Sequence, residues 1–221
     1  MMMKNTTAIA LLMTLSLLAC ETDSYNKGQG RYSLLQADMA DMTIGGDKQA
    51  TDFTTDDGAT YRLSTPYKAQ WIARPDTVYR SIVYYNKVDD GRASIQSAAA
   101  MTVVHPVPHW RFKQLPQDPL QLESAWVARS GKYLNLALLV KSGYVNDEEP
   151  RHAIGLAQDT LIAYPSGRRA AYYRLLHSQG DSPEYYTARR YVSIVLPAAA
   201  PDTVILTVPT ASGSIVRRFE K

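Results

Sequence analysis

Apolar side chains recur at every second position along most of the chain beyond Arg31. The alternation is clearest in four runs, Ala93 to Val103, Leu134 to Val140, Ala188 to Leu196 and Val204 to Val208. A period of two places neighbouring side chains on opposite faces of a β-strand, one face buried and the other wetter. Only Arg190 interrupts the third run. Because no long amphipathic helix accompanies these runs, the pattern predicts an all-β protein.

Turn-forming dipeptides separate the runs. They combine glycine with aspartate, serine or a second glycine, at Gly45-Gly46, Asp56-Asp57-Gly58, Asp89-Asp90-Gly91, Ser130-Gly131, Ser166-Gly167 and Ser212-Gly213. Glycine supplies the positive φ angles that tight hairpins require. Short strands with frequent turns are typical of β-barrels and β-sandwiches.

A proline-rich segment predicts the domain boundary. Four prolines fall between Val104 and Pro119, and proline lacks the N–H group that a central strand needs. The runs before this segment suffice for a small barrel, and those after it suffice for a sandwich. We therefore predict a first domain over residues 31–106, a linker over residues 107–118 and a second domain over residues 119–221.

The N-terminus predicts a lipid anchor. The apolar run from Ala8 to Ala19 is too short to span a membrane but fits the core of a signal peptide, predicted over residues 1–19. It ends in Leu17-Leu18-Ala19-Cys20, which resembles a bacterial lipobox. Cys20 is the only cysteine, so we expect it to be lipidated, with residues 20–30 as a flexible tether. The alternative is an ordinary secretory signal with an incidental cysteine.

This anchor predicts a protein of the cell envelope, on the outer membrane facing the periplasm or on the cell surface. The chain has 24 basic and 21 acidic residues, a formal net charge of +3, and no basic stripe. A nucleic-acid partner is therefore not expected.

None of the four histidines shows the spacing of a metal site. His105 and His109 stand four apart, but Pro106 and Pro108 between them exclude a helix interior. His152 and His177 are isolated in the sequence and could be core or surface side chains. We therefore expect no metal.

Motifs for catalysis are also missing from the sequence. Asp147-Glu148-Glu149 lacks the ligand spacing of a calcium loop and fits a solvated hairpin tip. Ser166 has no glycine two residues before it and no strand-to-helix elbow around it. We predict no catalytic residues and no cofactor, so the protein is not expected to be an enzyme.

Tyrosines offer the best candidates for binding. The chain has 15 Tyr and only 3 Phe. If Leu134 and Leu136 face the core, then Tyr133, at an adjacent position of the strand, faces outward. By the same alternation, Tyr191 faces outward because its neighbour Val192 faces the core. We predict that Tyr133 and Tyr191 are binding residues, able to stack on a ligand. The alternative is cross-strand aromatic packing that stiffens the sheet. Tyr84 and Tyr85 must point to opposite faces.

Several short motifs together resemble a known family. In chain order they are the lipobox, Arg31-Tyr32, Phe53-Thr54-Thr55-Asp56-Asp57-Gly58, Trp71, Asp76-Thr77-Val78-Tyr79-Arg80, Val83-Tyr84-Tyr85-Asn86, Tyr133-Leu134-Asn135-Leu136 and Ser193-Ile194-Val195-Leu196-Pro197. This order resembles the NigD-like lipoproteins of Bacteroides and its relatives. The resemblance implies an N-terminal OB-like barrel followed by a C-terminal β-sandwich, and a role related to bacteriocin immunity. It implies no catalytic residues.

The leading hypothesis is a non-catalytic, membrane-anchored lipoprotein that binds a protein, either a bacteriocin-like toxin or an envelope component. The first alternative is a glycan-binding lipoprotein, since exposed tyrosines also stack on sugars. A hydrolase with an unrecognised site is the third hypothesis. A shallow surface of mixed polarity would favour a protein partner, whereas a groove floored by parallel aromatic rings would favour a glycan.

Overall fold

The computed structural model describes residues 34–89, 91–146, 152–197 and 201–220. Within these ranges the chain forms strands and turns, one 3₁₀ turn at His109–Arg111 and no α-helix. The all-β prediction is confirmed. The predicted signal peptide, tether and Cys20, and the hairpin tip Asp147-Glu148-Glu149, lie outside the described residues. In the described part of the chain, no helix has the length and apolar character needed to cross a membrane.

The first half of the described chain is a closed β-barrel. Its strands are β1 (Gln36–Ile44), β2 (Ala50–Thr55), β3 (Thr60–Tyr67), β4 (Thr77–Asp89) and β5 (Arg92–Ala100). They follow one another around the barrel in the order β1-β2-β3-β5-β4, and β4 closes it by pairing with β1. All neighbours are antiparallel except β3 and β5. The barrel has the small size predicted, while its OB-like character remains a prediction.

Aromatic rings fill the barrel. Phe53 is fully buried, with its ring centroid 4.9 Å from that of Tyr85 and 5.4 Å from that of Tyr61. Tyr85 is 1% exposed and its hydroxyl donates to Asp38, whereas Tyr84 on the other face of β4 is 40% exposed. The prediction that these two tyrosines point to opposite faces is confirmed.

Two sheets form the sandwich that follows. The remaining strands are β6 (Thr102–Val104), β7 (Val107–Pro108), β8 (Gln121–Val127), β9 (Tyr133–Ser142), β10 (Ala153–Ala163), β11 (Arg169–Ser178), β12 (Tyr186–Val195), β13 (Thr203–Thr210) and β14 (Gly213–Glu220). One sheet has the order β6-β12-β9-β8, and the other has the order β14-β13-β11-β10-β7. The inward faces of both sheets meet in one apolar core.

The three alternating runs that lie in the sandwich form this core as predicted. Leu134, Leu136 and Leu138 on β9 are fully buried, and Ile194 on β12 and Leu206 on β13 are fully buried as well. Their parity follows from the strand period alone, so it could be identified without knowing which strands pair.

The remaining run, Ala93 to Val103, does not keep its parity: Ala93 is buried, but Ala99 is exposed and Val103 is 37% exposed. The cause is a register shift in the pairing of β4 with β5 between Ile95 and Ser97.

The proline-rich segment is not a free linker. Thr102–Val104 pairs in parallel with β12, and Val107–Pro108 pairs in parallel with β10. By strand pairing, the sandwich therefore begins at Thr102, inside the predicted first domain. This corrects the predicted boundary at residue 106 and the predicted linker over residues 107–118. Edge strands need hydrogen bonds on one side only, so Pro106 and Pro108 are compatible with this position. Residues Gln36–Lys221 form one compact unit.

Candidate functional site

A buried arginine joins the barrel to the sandwich. Arg80 on β4 has a side chain that is 2% exposed. Its Nη2 donates to the carboxylate of Asp56 at 2.7 Å, and its Nε donates to Ser193 Oγ on β12 at 3.1 Å. Gly58, with a φ of 91°, forms the β2–β3 turn that carries Asp56. The guanidinium charge is therefore paired with two carboxylates of the barrel, Asp56 and, at 3.4 Å from Nη1, Asp41, while a hydroxyl of the sandwich accepts a hydrogen bond from it.

Asn135 on β9 completes this junction network, which we define as Arg80, Asp56, Asn135 and Ser193. Its Oδ1 accepts from Arg80 Nη2 at 3.2 Å and from Ser193 Oγ at 2.8 Å. Its Nδ2 donates to Asp56 at 2.6 Å. Asn135 and Ser193 are both fully buried. Because these groups satisfy one another away from solvent, the arrangement is suited to holding the two halves together rather than to acting on a substrate.

Tyr133 lies beside the junction network, not on an open face. Its ring centroid is 4.0 Å from Arg80 Cζ. Burial, with a further contribution from Asp41, raises the pKa of Tyr133 from 10.0 to about 12. The outward parity is as predicted, but the ring is half-buried because the barrel packs against the outer face of β9. The expected exposure of Tyr133 is therefore wrong.

Tyr191 lies on the same outer face, opposite Ala137, and is half-buried. It opens onto a groove of about 600 Å³, here called the junction groove. The barrel side of this groove is apolar and consists of Ile82, Ala99, Ala100 and Met101, continuing into Thr102. The sandwich side consists of His152, Ile154, Arg189, Arg190 and Tyr191. Of the two predicted binding tyrosines, Tyr191 is the one that the structure places at a cavity.

Two histidines that are isolated in the sequence, His152 and His177, form a hydrogen-bonded pair with nearly parallel ring planes. Their rings are 5.2 Å apart with an angle of 3° between planes, and His152 Nδ1 lies 2.9 Å from His177 Nε2. The carbonyl oxygen of Asp118 lies 2.9 Å from His177 Nδ1 and can only accept, so His177 Nδ1 carries a proton. In the neutral pair, His152 Nδ1 therefore donates to His177 Nε2. Among the described residues, no group of three or more His, Cys, Asp or Glu could hold a metal.

A second surface, at one end of the sandwich, is rich in exposed tyrosine. Tyr185 is 80% exposed, Tyr144 is 59% exposed and Tyr186 is 38% exposed. We call these three residues the terminal tyrosine patch. The rings of Tyr144 and Tyr186 lie 6.2 Å apart at an angle of 34°. Exposed tyrosines carry much apolar area with little conformational entropy, which suits them to a contact surface.

Gly143 allows the patch to form. A Cβ atom at this position would lie 2.8 Å from Cδ2 of Tyr185 and 3.1 Å from Cβ of Pro183. The Tyr185 ring therefore packs directly over the backbone at Gly143, and no side chain fits between them. The pairing of Tyr186 with Ser142 brings the two chain segments to this approach.

A groove of about 680 Å³, here called the end groove, lies next to the patch. Apolar side chains line it, namely Leu122, Leu139 and Ile215 from three strands and Leu120 just before β8. Polar groups line it too: Glu184, the residue before Tyr185, and Lys141, whose Nζ donates to Thr187 Oγ1 at 3.2 Å. The end groove and the patch together form a surface of mixed polarity.

The terminal tyrosine patch was not among the predicted binding residues. Its signals were present as the Tyr185-Tyr186 dipeptide and as Tyr144 after Gly143. Neither lies in an alternating run, so parity could not identify them. Their proximity depends on the register between β9 and β12, which the sequence does not reveal.

Comparison with solved structures identifies the fold. A NigD-like immunity protein from Bacteroides caccae superposes with a TM-score of 0.63 at 22% identity, covering 82% of this chain and 91% of that chain. The chain has the NigD-like fold. The resemblance inferred from the sequence motifs is thus confirmed at the level of the fold.

Two further structures share the NigD-like fold. A protein of Parabacteroides distasonis with a proposed relation to toxins has a TM-score of 0.64 at 16% identity, with 85% of this chain and 93% of that chain covered. A protein of unknown function from Bacteroides vulgatus has a TM-score of 0.61 at 11% identity, with coverages of 84% and 91%. No family model and no curated protein matches the chain.

Proposed function

We propose that this protein is a non-catalytic binding protein of the bacterial cell envelope whose partner is a protein. The terminal tyrosine patch carries the proposal, because it exposes three large aromatic side chains close to the end groove. Exposed tyrosines are among the residues that dominate the binding energy of protein interfaces. The partner is a bacteriocin-like toxin or an envelope component.

The geometry of the patch favours a protein over a glycan. Tyr144 and Tyr186 are tilted by 34° rather than coplanar, so they do not offer a flat platform for a sugar ring. Lys141 and Glu184 give the end groove both signs of charge. The structures of similar fold include an immunity protein and a protein with a proposed relation to toxins, and both descriptions fit a protein partner.

The contacts of the polar clusters support a non-catalytic role. In the described part of the chain, Arg80 is enclosed by Asp56, Asn135 and Ser193. The Nδ1 and Nε2 atoms of His177 both have partners. Neither Arg80 nor His177 therefore has a free lone pair with which to act as a general base. The hydrolase hypothesis gains no support from these two residues.

The test is crosslinked capture from the native envelope, followed by mass spectrometry and affinity measurement on the recovered partner. Tyr185→Ala is expected to weaken binding by on the order of 2 kcal/mol, or about thirtyfold, because it removes a central aromatic contact. Tyr164→Ala is the matched control, since this tyrosine is also exposed (45%) but lies outside the patch.

The thermal midpoint of Tyr185→Ala is expected to stay close to that of the parent protein, because its ring is mostly in solvent. Unchanged affinity in a folded Tyr185→Ala protein would contradict the assignment of the patch. Equal losses in Tyr185→Ala and Tyr164→Ala would show that general surface apolarity, rather than the patch, drives capture.

Envelope anchoring through Cys20 is part of the same proposal. Lipidation adds roughly 0.8 kcal/mol of membrane affinity for each buried CH₂ group, so several acyl chains would hold the protein firmly. Cys20→Ala is expected to move the protein from the membrane pellet to the soluble fraction, read by fractionation after a high-salt wash. Ser24→Ala in the predicted tether is the control and should leave the protein in the pellet. Retention of Cys20→Ala in the washed membranes would rule out the lipid anchor.

A further inference from the structure

The end groove opens at the seam between the two sheets of the sandwich. In the described structure, β8 and β14 are the outermost strands of their sheets, and each is paired on one side only. The groove lies where both strands begin, since Gln121 and Leu122 of β8 and Ile215 of β14 line it. Leu120 and Val140 also line it, and both are buried members of the apolar core. An apolar body in the groove would therefore rest directly on core side chains.

Two opposite charges at this groove have no ion-pair partner among the described residues. Lys141 Nζ donates to Thr187 Oγ1 at 3.2 Å, which leaves two of its three N–H groups for other acceptors. Glu184 Oε1 accepts from Gln179 Nε2 at 3.3 Å, and the second carboxylate oxygen remains. Lys141 and Glu184 both line the groove and are both exposed. The groove therefore offers one positive and one negative group to a ligand.

We propose that the end groove binds a single-chain zwitterionic amphiphile. Its apolar chain lies along Leu122, Leu139 and Ile215. Its anionic group meets Lys141, and its cationic group meets Glu184. A headgroup with only one sign of charge fits this pattern less well, because one of the two side chains would repel it.

The dimensions of the groove agree with such a ligand. A groove of about 680 Å³ with an apolar floor and a few exposed polar groups is typical of small-molecule sites. The site lies next to the terminal tyrosine patch, but its ligand does not depend on the proposed protein partner.

Four dodecyl probes that differ only in the headgroup test the charge pattern. Dodecylphosphocholine is zwitterionic, dodecyl phosphate is anionic, dodecyltrimethylammonium is cationic and dodecyl maltoside is uncharged. Each is titrated into the intact protein by isothermal titration calorimetry, below the concentration at which it forms micelles. The zwitterion is expected to bind saturably and about tenfold more tightly than each of the others, because only it meets both charges. If any of the other three binds as tightly as the zwitterion, the proposal is wrong.

Charge substitutions should change the probe affinities in opposite directions. Lys141→Gln is expected to weaken the zwitterion about fivefold and to leave the cationic probe at least as tight, because a repulsive charge is removed. Glu184→Gln should weaken the zwitterion by a similar factor and leave the anionic probe at least as tight. Lys132→Gln is the matched control, because this exposed lysine lies just before the opposite end of β9, and it should change none of the affinities. Unchanged binding of the zwitterion in both groove variants would overturn the proposal.

Filling the groove locates the probe. Ile215→Trp is expected to remove binding of all four probes, because the larger side chain occupies the groove. Ala211→Trp, at the exposed turn before β14, replaces it if Ile215→Trp lowers the thermal midpoint. Tyr185→Ala should leave the affinities unchanged, since Tyr185 is not part of the lining, and this separates the site from the patch. Unchanged binding of the zwitterion to a folded Ile215→Trp or Ala211→Trp protein would place the probe elsewhere and show that the proposal is wrong.

Discussion

Replacing Arg80 with methionine is expected to lower the free energy of unfolding by about 3–5 kcal/mol. Methionine keeps much of the apolar volume but removes the charge that Asp56 and Asn135 face in the buried junction. The carboxylate of Asp56 then loses its nearest cation, and Ser193 Oγ loses the donor Arg80 Nε. Equilibrium unfolding in urea, monitored by circular dichroism, measures the effect.

Lys132→Met is the matched control, because Lys132 also pairs with a carboxylate that contacts Arg80, that of Asp41. Its Nζ lies 3.8 Å from Asp41, but its side chain is 64% exposed. Exposed ion pairs contribute about 0–1 kcal/mol, so the expected loss is correspondingly small. If Arg80→Met cost no more than Lys132→Met, the junction network would not stabilise the molecule as its burial implies.

The second large effect is expected in the barrel core. Phe53→Ala should cost about 3–5 kcal/mol, since it leaves a cavity against Tyr61 and Tyr85 that neighbouring rings refill only in part. Tyr84→Ala on the exposed face of β4 serves as the control, and we expect a much smaller loss. The measurement is the midpoint and slope of urea unfolding for both variants.

The same experiment tests whether the two halves unfold together. Trp126 lies on β8 in the sandwich, so its fluorescence, in a background with Trp71→Phe and Trp110→Phe, reports on a half that does not contain Phe53. Because the junction network binds barrel to sandwich, Phe53→Ala should shift the fluorescence transition together with the circular dichroism transition. Two separate transitions would show that the barrel melts alone and that the junction does not couple the halves.

The sequence was sufficient for the strands and, in the sandwich, for the side of each alternating run that faces the core. It was not sufficient in β5, where a register shift against β4 leaves Ala99 exposed. Leu134, Leu136 and Leu138 could be assigned because parity requires only the period of the strand, whatever its neighbours are. The turn at Gly58 could be assigned for a similar reason, since an Asp-Gly step favours a local backbone conformation. Both are short-range properties of the chain.

The junction could not be predicted, because its members are far apart along the chain. Asp56 and Asn135 are separated by 79 residues, and Arg80 and Ser193 are separated by 113. Asp56 already had a sufficient explanation as a turn residue, and nothing local marks it as the partner of a buried arginine. The exposure of Tyr133 could not be predicted for the same reason. The strand period shows which face of β9 the side chain is on, but not that the barrel covers that face.

The proline-rich crossing also has a consequence for solubility. In passing from the barrel into the sandwich, it places β6 along β12 and β7 along β10, so one short stretch covers an edge of each sheet. Uncovered strand edges recruit other chains, and prolines at the outermost position resist further strand addition. A fragment beginning after this stretch would therefore present two bare edges on the same side of the molecule. Such a fragment should assemble into oligomers or fibrils. In the intact protein, the stretch that resembles a passive connector therefore protects the sandwich against self-association.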